Sequence, residues 1–205
     1  MVYRKTKATE ERKEARRRLL LDAATRLFGR HGYHATTVPM IVAEAECSTG
    51  SFYMYFQNKE DVFNAALEEL GEQIAELMQA VDHLQPDVLQ RLSQGVEALF
   101  TFFARKPDQA RILVVESSGL SPRLDRTRRA ILLQQEDRLR RILESAPGLF
   151  AVENTTIAAR CMVGAAFEAL YRWLEENPKI RMSAQEVARA VADFANNSVR
   201  RASCN

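Results

Sequence analysis

No stretch of this sequence alternates apolar and polar residues well enough to read as a β-strand. No apolar run approaches ~20 residues, so no membrane span is expected. The opening Met-Val-Tyr-Arg-Lys-Thr-Lys lacks the apolar centre of a secretion signal, and a cytoplasmic location is expected. Cysteine is sparse: Cys47, Cys161 and Cys204 are odd in number, far apart and without metal spacing. They suggest free thiols in a reducing compartment. Histidine is equally sparse, with His31, His34 and His83 alone. None of them stands three positions after a Glu, and there is no HExxH, no phosphate-cradling glycine loop and no nucleophile elbow. The patterns that would carry catalysis or hold a metal are therefore missing. No enzyme, no cofactor and no metal is expected.

What is present is helical periodicity on a chain that is 46% hydrophobic and 27% charged, the balance of a globular protein. The net charge is only +2 but is unevenly spread. Residues 1–60 hold 11 Lys or Arg against 7 Asp or Glu, and the rest holds 18 against 20. A basic front and a mildly acidic rear suggest that the front alone meets a polyanion.

From Glu10 to His31, Leu20, Ala23, Ala24, Leu27 and Phe28 recur at helical spacing, and Gly32 ends the helix. Asn58 is a cap for a long helix to about Val81, with Glu60 and Asp61 suited to its first turn. Further helices are expected over Pro86–Arg105, from Pro107 to near Gly119, from Pro122 behind the cap Ser121, and from Thr155 or Thr156 to before Pro178. Ser183 with Glu186 reads as a capping box opening the last. The fold class is all-α, with about nine helices, three of them in the front domain.

Residues 48–59 read as a very short helix with an exposed front end. Ser48 can cap it. Phe52 and Phe56 lie four apart and point inward, placing Gly50, Ser51 and Met54 opposite, with Thr49 and Tyr53 on one flank and Tyr55 on the other. Thr37 can cap the helix before it, and Pro39 is tolerated in that helix's first turn. Two short helices broken at Glu46-Cys47 read as a helix-turn-helix, the second presenting small hydroxylic groups to duplex DNA. Base reading falls to Thr49, Ser51 and Met54, and phosphate contact to the Tyr and Thr hydroxyls and Lys59. Packing remains an alternative role for Tyr53 and Tyr55. The basic residues Arg4, Lys5, Lys7, Arg12, Lys13 and Arg16–Arg18 lie in or before the first helix. Minor groove and phosphates suit them, a solvated tail being the other reading.

The run LLDAATRLFGRHGYHATTVPMIVAEAECSTGSFYMYFQNKEDVFNAAL resembles the DNA-binding domain of the tetracycline-repressor (TetR) family of bacterial regulators. Glu46 stands where that family usually has a turn glycine, Cys47 where it has Val, and Val42 where it has Ala. The resemblance implies DNA contacts at Thr37, Ser48, Thr49, Gly50, Ser51, Tyr53, Tyr55 and Lys59. It divides the chain into a reader over 1–57 and an effector-binding, dimerising domain over 58–205. It also implies a small-molecule pocket in the rear, for which Phe100, Phe103, Val114, Met162, Phe167 and Tyr171 are candidates. By periodicity alone most of these would be bundle core. In the family the last two helices of each subunit form a four-helix dimer interface. Ala158, Cys161, Gly164, Ala165 and Ala169, with Val187, Val191 and Phe194, fit that use, packing within the chain being the other reading.

The expected function is a homodimeric regulator, a repressor released from a palindromic operator by a small, largely apolar effector, with acyl-CoA as one candidate. An effector-independent DNA-binding protein of chromosome organisation or division is the alternative. A helical enzyme with a vestigial DNA module is a third reading, lacking any polar catalytic cluster.

Overall fold

The computed structural model describes residues 7–200, so Arg4, Lys5 and Cys204 lie outside it. Nine α-helices follow one another among the described residues, with no strand. α1 spans Lys7–Ala35 and is broken at Gly32, whose φ of 80° and ψ of 166° only glycine adopts easily. α2 is Val38–Glu44, capped where the Thr37 hydroxyl accepts from the Met40 amide. α3 is Thr49–Tyr53, capped where Ser48 Oγ accepts from the Ser51 amide at 3.1 Å. The turn between them passes through Glu46 at φ 51°, so a side-chain-bearing residue holds the left-handed conformation.

α4, Lys59–Leu84, starts at the Asn58 cap, with Glu60 and Asp61 in its first turn against the positive helix end. α5 is Val88–Arg105, capped by Asp87, and α6 is Pro107–Arg111. The helix expected to run from Pro107 to near Gly119 instead widens into a π-turn over Ile112–Glu116. α7, Pro122–Ser145, has the Ser121 cap and the first-turn proline. α8, Thr155–Glu175, is capped by Asn154, one residue before the expected threonines. α9, Ala184–Val199, carries both hydrogen bonds of the Ser183–Glu186 capping box.

Two features of this packing bear on function. First, α1 is seated on the segment after α5. A Cβ on Gly29 would lie 2.4 Å from the Asp108 Cα, so only glycine permits the approach. Beside it the Tyr33 amide donates to Glu116 Oε2 at 2.9 Å. Second, α7 runs alongside α4 in the same direction. Ser121 Oγ donates to Glu60 at 2.9 Å, Arg123 to Asp61 at 2.9 Å, and Thr127 Oγ1 to Asn64 at 2.7 Å. Midway, Ile131 fills the space over Gly71, where a Cβ would lie 2.9 Å from its Cγ1. At the far end Arg138 holds Asp82. α4 and α7 are thus joined from the short helices to the bundle interior.

One apolar core runs through both halves, from Leu20 and Phe28 of α1 through Phe63 and Leu70 of α4 to Trp173 of α8. Phe28 meets Phe63 edge-on at 4.9 Å between ring centroids. A smaller cluster of Leu92, Ile142, Leu143, Phe150 and Met162 with Ala195 and Val199 closes the rear end.

Candidate nucleic-acid interface and effector cavity

α3 turns Phe52 and Phe56 into the core and leaves Ser48, Thr49 and Gly50 in solvent. Tyr53 is 58% exposed and Met54 70%. Thr37 is exposed at the head of α2, and Tyr55 is half-buried. Exposed large apolar and hydroxylic groups on so short a helix form a surface without a partner among the described residues. Arg12, Lys13, Arg16 and Leu19 of α1 share one groove with Met54 and Tyr55, so the basic face of α1 adjoins the tip of α3. Arg17 and Arg18 are engaged elsewhere: Arg17 Nη1 lies 3.5 Å from Glu14, and Arg18 pairs with Asp22 at 3.1 Å and Glu69 at 2.7 Å.

Two residues expected at the DNA surface lie elsewhere. Ser51 is buried, with 5% exposure, and its hydroxyl has no hydrogen-bond partner among the described residues. By helical stepping it sits ~120° from the Phe52–Phe56 direction, on a covered flank rather than on the free face. Lys59 turns back onto α1. Its Nζ donates to the Tyr33 carbonyl at 2.8 Å and the His34 carbonyl at 3.4 Å, and lies 4.3 Å from the centre of the Tyr33 ring. The physical reason is the break at Gly32, since carbonyls at a helix end need outside donors. Burial lowers the Lys59 pKa, and burial followed by the Glu60 charge raises that of Tyr33.

Behind the tip, the bundle holds an apolar cavity of about 60 Å³. Met78 of α4, Leu92, Gly95, Val96 and Leu99 of α5, Leu139 of α7, Met162 and Phe167 of α8, and Val191 of α9 line it, with Gln135 and Arg138. Of the residues expected there, Met162 and Phe167 are on the wall, while Phe100, Phe103, Val114 and Tyr171 are not. Phe100 and Phe103 continue the stripe of Val96 and Leu99 one turn further, where they are wholly buried in the core. Val114 is buried in the π-turn, and Tyr171 packs half-buried against the same core. Sequence reasoning missed Met78, Leu92, Val96, Leu99 and Arg138. Arg138 had a signal: it stands seven residues after Ile131 and fourteen after Leu124, on the buried stripe of α7.

An exposed strip of the two last helices remains. Ile157, Cys161 and Gly164 of α8 face solvent, with nothing within 4 Å of a Cβ on Gly164. Phe194 of α9 is 63% exposed. Among the described residues no cluster of metal-ligating side chains occurs, and no helix is long and apolar enough to cross a membrane.

A short, solvent-facing second helix beside a basic helix face, on an all-helical body with an internal cavity, defines a helix-turn-helix DNA-binding regulator. Residues 20–66 match the family model of bacterial regulatory proteins of the tetR family. Residues 85–199, more than half of the chain, match the tetracyclin repressor-like C-terminal domain. The chain belongs to the TetR family of transcriptional regulators. The HTH-type transcriptional regulator HbdR of Aromatoleum sp. (strain CIB) is 34% identical over 134 residues, which is 65% of this chain and 56% of that protein. The chain thus spans little more than half the length of that relative. The fatty acid degradation regulator FadR from Bacillus halodurans superposes with a TM-score of 0.80 at 21% identity, over 88% of this chain and 94% of that one. The regulator FadR from Bacillus subtilis, solved in complex with stearoyl-CoA, gives 0.78 at 20% identity, over 89% and 99%. Likeness at these identities shows the fold.

Proposed function

We propose that the protein is a homodimeric repressor working in the cytoplasm, with residues 1–57 as reader and 58–205 as effector-binding and dimerising scaffold. The observation that carries the reading is the tip of α3, where Thr49, Gly50, Tyr53 and Met54 stand in solvent beside Arg12 and Arg16. Gly50 lets the backbone approach a groove, Thr49 and Met54 reach base edges, and the arginines meet phosphates. The exposed strip of Ile157, Gly164 and Phe194 would pair two copies, setting their α3 helices ~34–36 Å apart for successive major grooves of a palindromic operator.

Release follows from the cavity. At about 60 Å³ it is far smaller than the ~300–1,000 Å³ of a pocket that buries a drug-sized ligand. A largely apolar effector must therefore open it, and the opened state binds ligand better than the closed one. Met78 and the Arg138–Asp82 pair tie the cavity wall to α4, whose other end caps beside α3. An effector that parts these helices would tilt α4 and change the spacing of the paired tips. The complex of Bacillus subtilis FadR with stearoyl-CoA makes acyl-CoA a first candidate. The test is selection of genomic fragments with purified protein, followed by anisotropy of the selected duplex with and without an acyl-CoA series. Tight binding released by one chain length supports the proposal. Binding to many unrelated duplexes without response to any effector favours the effector-independent chromosome-organising alternative instead.

A further inference from the structure

Among the described residues Arg138 is the one cation on the wall of the apolar cavity, and it is 9% exposed. Asp82 takes the side of its guanidinium, with Nε donating to Oδ2 at 2.8 Å and Nη2 to Oδ1 at 2.6 Å. Nη1 has no hydrogen-bond partner among the described residues. Nη1 and Nη2 both lie beside Gly95, another wall residue. A Cβ there would lie 3.3 Å from Nη1 and 3.4 Å from Nη2, so glycine is what lets the guanidinium lie against α5. Among the described residues the only other polar side chain on the wall is Gln135.

A guanidinium offers five donors in a planar fork that matches a carboxylate. With its side taken by Asp82, the end of the fork can still accept a second carboxylate. A neutral ligand would leave that end buried and unpaired, which is unfavourable in an apolar wall. We infer that the cavity takes an apolar acid whose carboxylate seats on the free end of the Arg138 fork, with its tail among Val96, Leu99, Met162 and Phe167. This rests on the cavity being the effector site. Binding then places two carboxylates on one guanidinium, and their repulsion weakens the hold of Asp82. Asp82 lies near the end of α4, so the ligand's charge loosens the joint between α7 and the helix that reaches the DNA tip.

The test uses the full-length protein and three probes of one tail length: octanoate, octan-1-ol and octanoyl-CoA. Affinities are read by calorimetry. Octanoate is expected to bind at least tenfold more tightly than octan-1-ol, since a charged hydrogen bond is at stake. Arg138→Met, which keeps the apolar stem, should bring that ratio near one. Asp82→Asn should tighten octanoate several-fold by removing the competing charge, and should shrink the effect of octanoate on DNA affinity, as linkage requires. Equal binding of acid and alcohol by the unaltered protein would overturn the inference, as would a ratio that survives Arg138→Met. Binding of octanoyl-CoA but not octanoate would also overturn it while leaving the effector cavity standing. If none of the three binds, the cavity is not the effector site, and the inference falls with that reading. Should Arg138→Met not fold, the ratio in the unaltered protein and the Asp82→Asn comparison decide the matter.

Discussion

Replacing Gly29 with Ala is the sharpest probe of how α1 is fixed to the rest of the molecule. The added Cβ would lie 2.4 Å from the Asp108 Cα, 2.5 Å from its Cβ and 2.7 Å from its carbonyl oxygen. Carbon atoms in good contact sit ~3.5–4.0 Å apart, so backbone must withdraw by about 1 Å. Two nearby links would loosen. Arg30 Nε lies 3.8 Å from Asp108 Oδ2, and the Tyr33 amide donates to Glu116 at 2.9 Å. Overpacking costs ~1–3 kcal/mol and a weakened hydrogen bond to a charged group ~1.5–3 kcal/mol, while Ala returns up to ~1 kcal/mol of helix propensity. The expected net loss is about 2–4 kcal/mol. At ~2–4 °C per kcal/mol, the Tm should fall by roughly 5–15 °C in calorimetry. Gly50→Ala is the matched control: its Cβ would meet only Ser48 Oγ, at 3.9 Å. It should raise the Tm slightly through propensity yet weaken DNA binding through lost close approach. An unchanged Tm for Gly29→Ala would refute the close seat of α1 on α6.

Glu46→Gly should stabilise the protein by about 0.5–1 kcal/mol, because the residue at φ 51° no longer bears a left-handed penalty; denaturant unfolding at constant m-value checks it. Arg16→Ala should weaken binding to every duplex and reduce the salt slope by about one unit, whereas Lys59→Met should lower the Tm with little change of slope. Titrations from low to moderate salt separate the two. Glu186 has its pKa lowered by hydrogen bonds from the Ser183 hydroxyl and amide. The folded state therefore gains stability above the carboxyl's unfolded pKa and loses it as pH falls through the lower, folded one. Glu186→Gln should flatten the fall of Tm between neutral pH and about pH 3; an acid limb identical to that of the parent protein would count against the box.

The helix starts were legible because a cap is local chemistry. Thr37, Ser48, Asn58, Ser121 and the Ser183–Glu186 box each declare themselves within four residues. The stop at Gly32 was legible for the same reason, whereas the left-handed turn at Glu46 was implied only by the resemblance to a family that usually has a glycine there. What was hidden depends on which groups from distant segments meet. Lys59 reads as a free cation until the carbonyls of Tyr33 and His34 are seen beneath it. Ser51 reads as exposed on a helical wheel, but a five-residue helix is covered according to its neighbours. Phe100 and Phe103 share a stripe with the cavity wall, and only tertiary packing shows where the side chains stop filling the space. Arg138 is the costliest omission, because one arginine among many on α7 looks like a solvated face. Its place in line with Leu124 and Ile131 marked it.

The central claim is that two α3 tips, held at fixed spacing, enter successive major grooves of one duplex. Hydroxyl-radical footprinting of the unaltered protein on a selected fragment tests it most directly. Two protected patches on one face of the duplex, centred about one helical turn apart, are predicted. A single patch, or uniform protection without register, would contradict it.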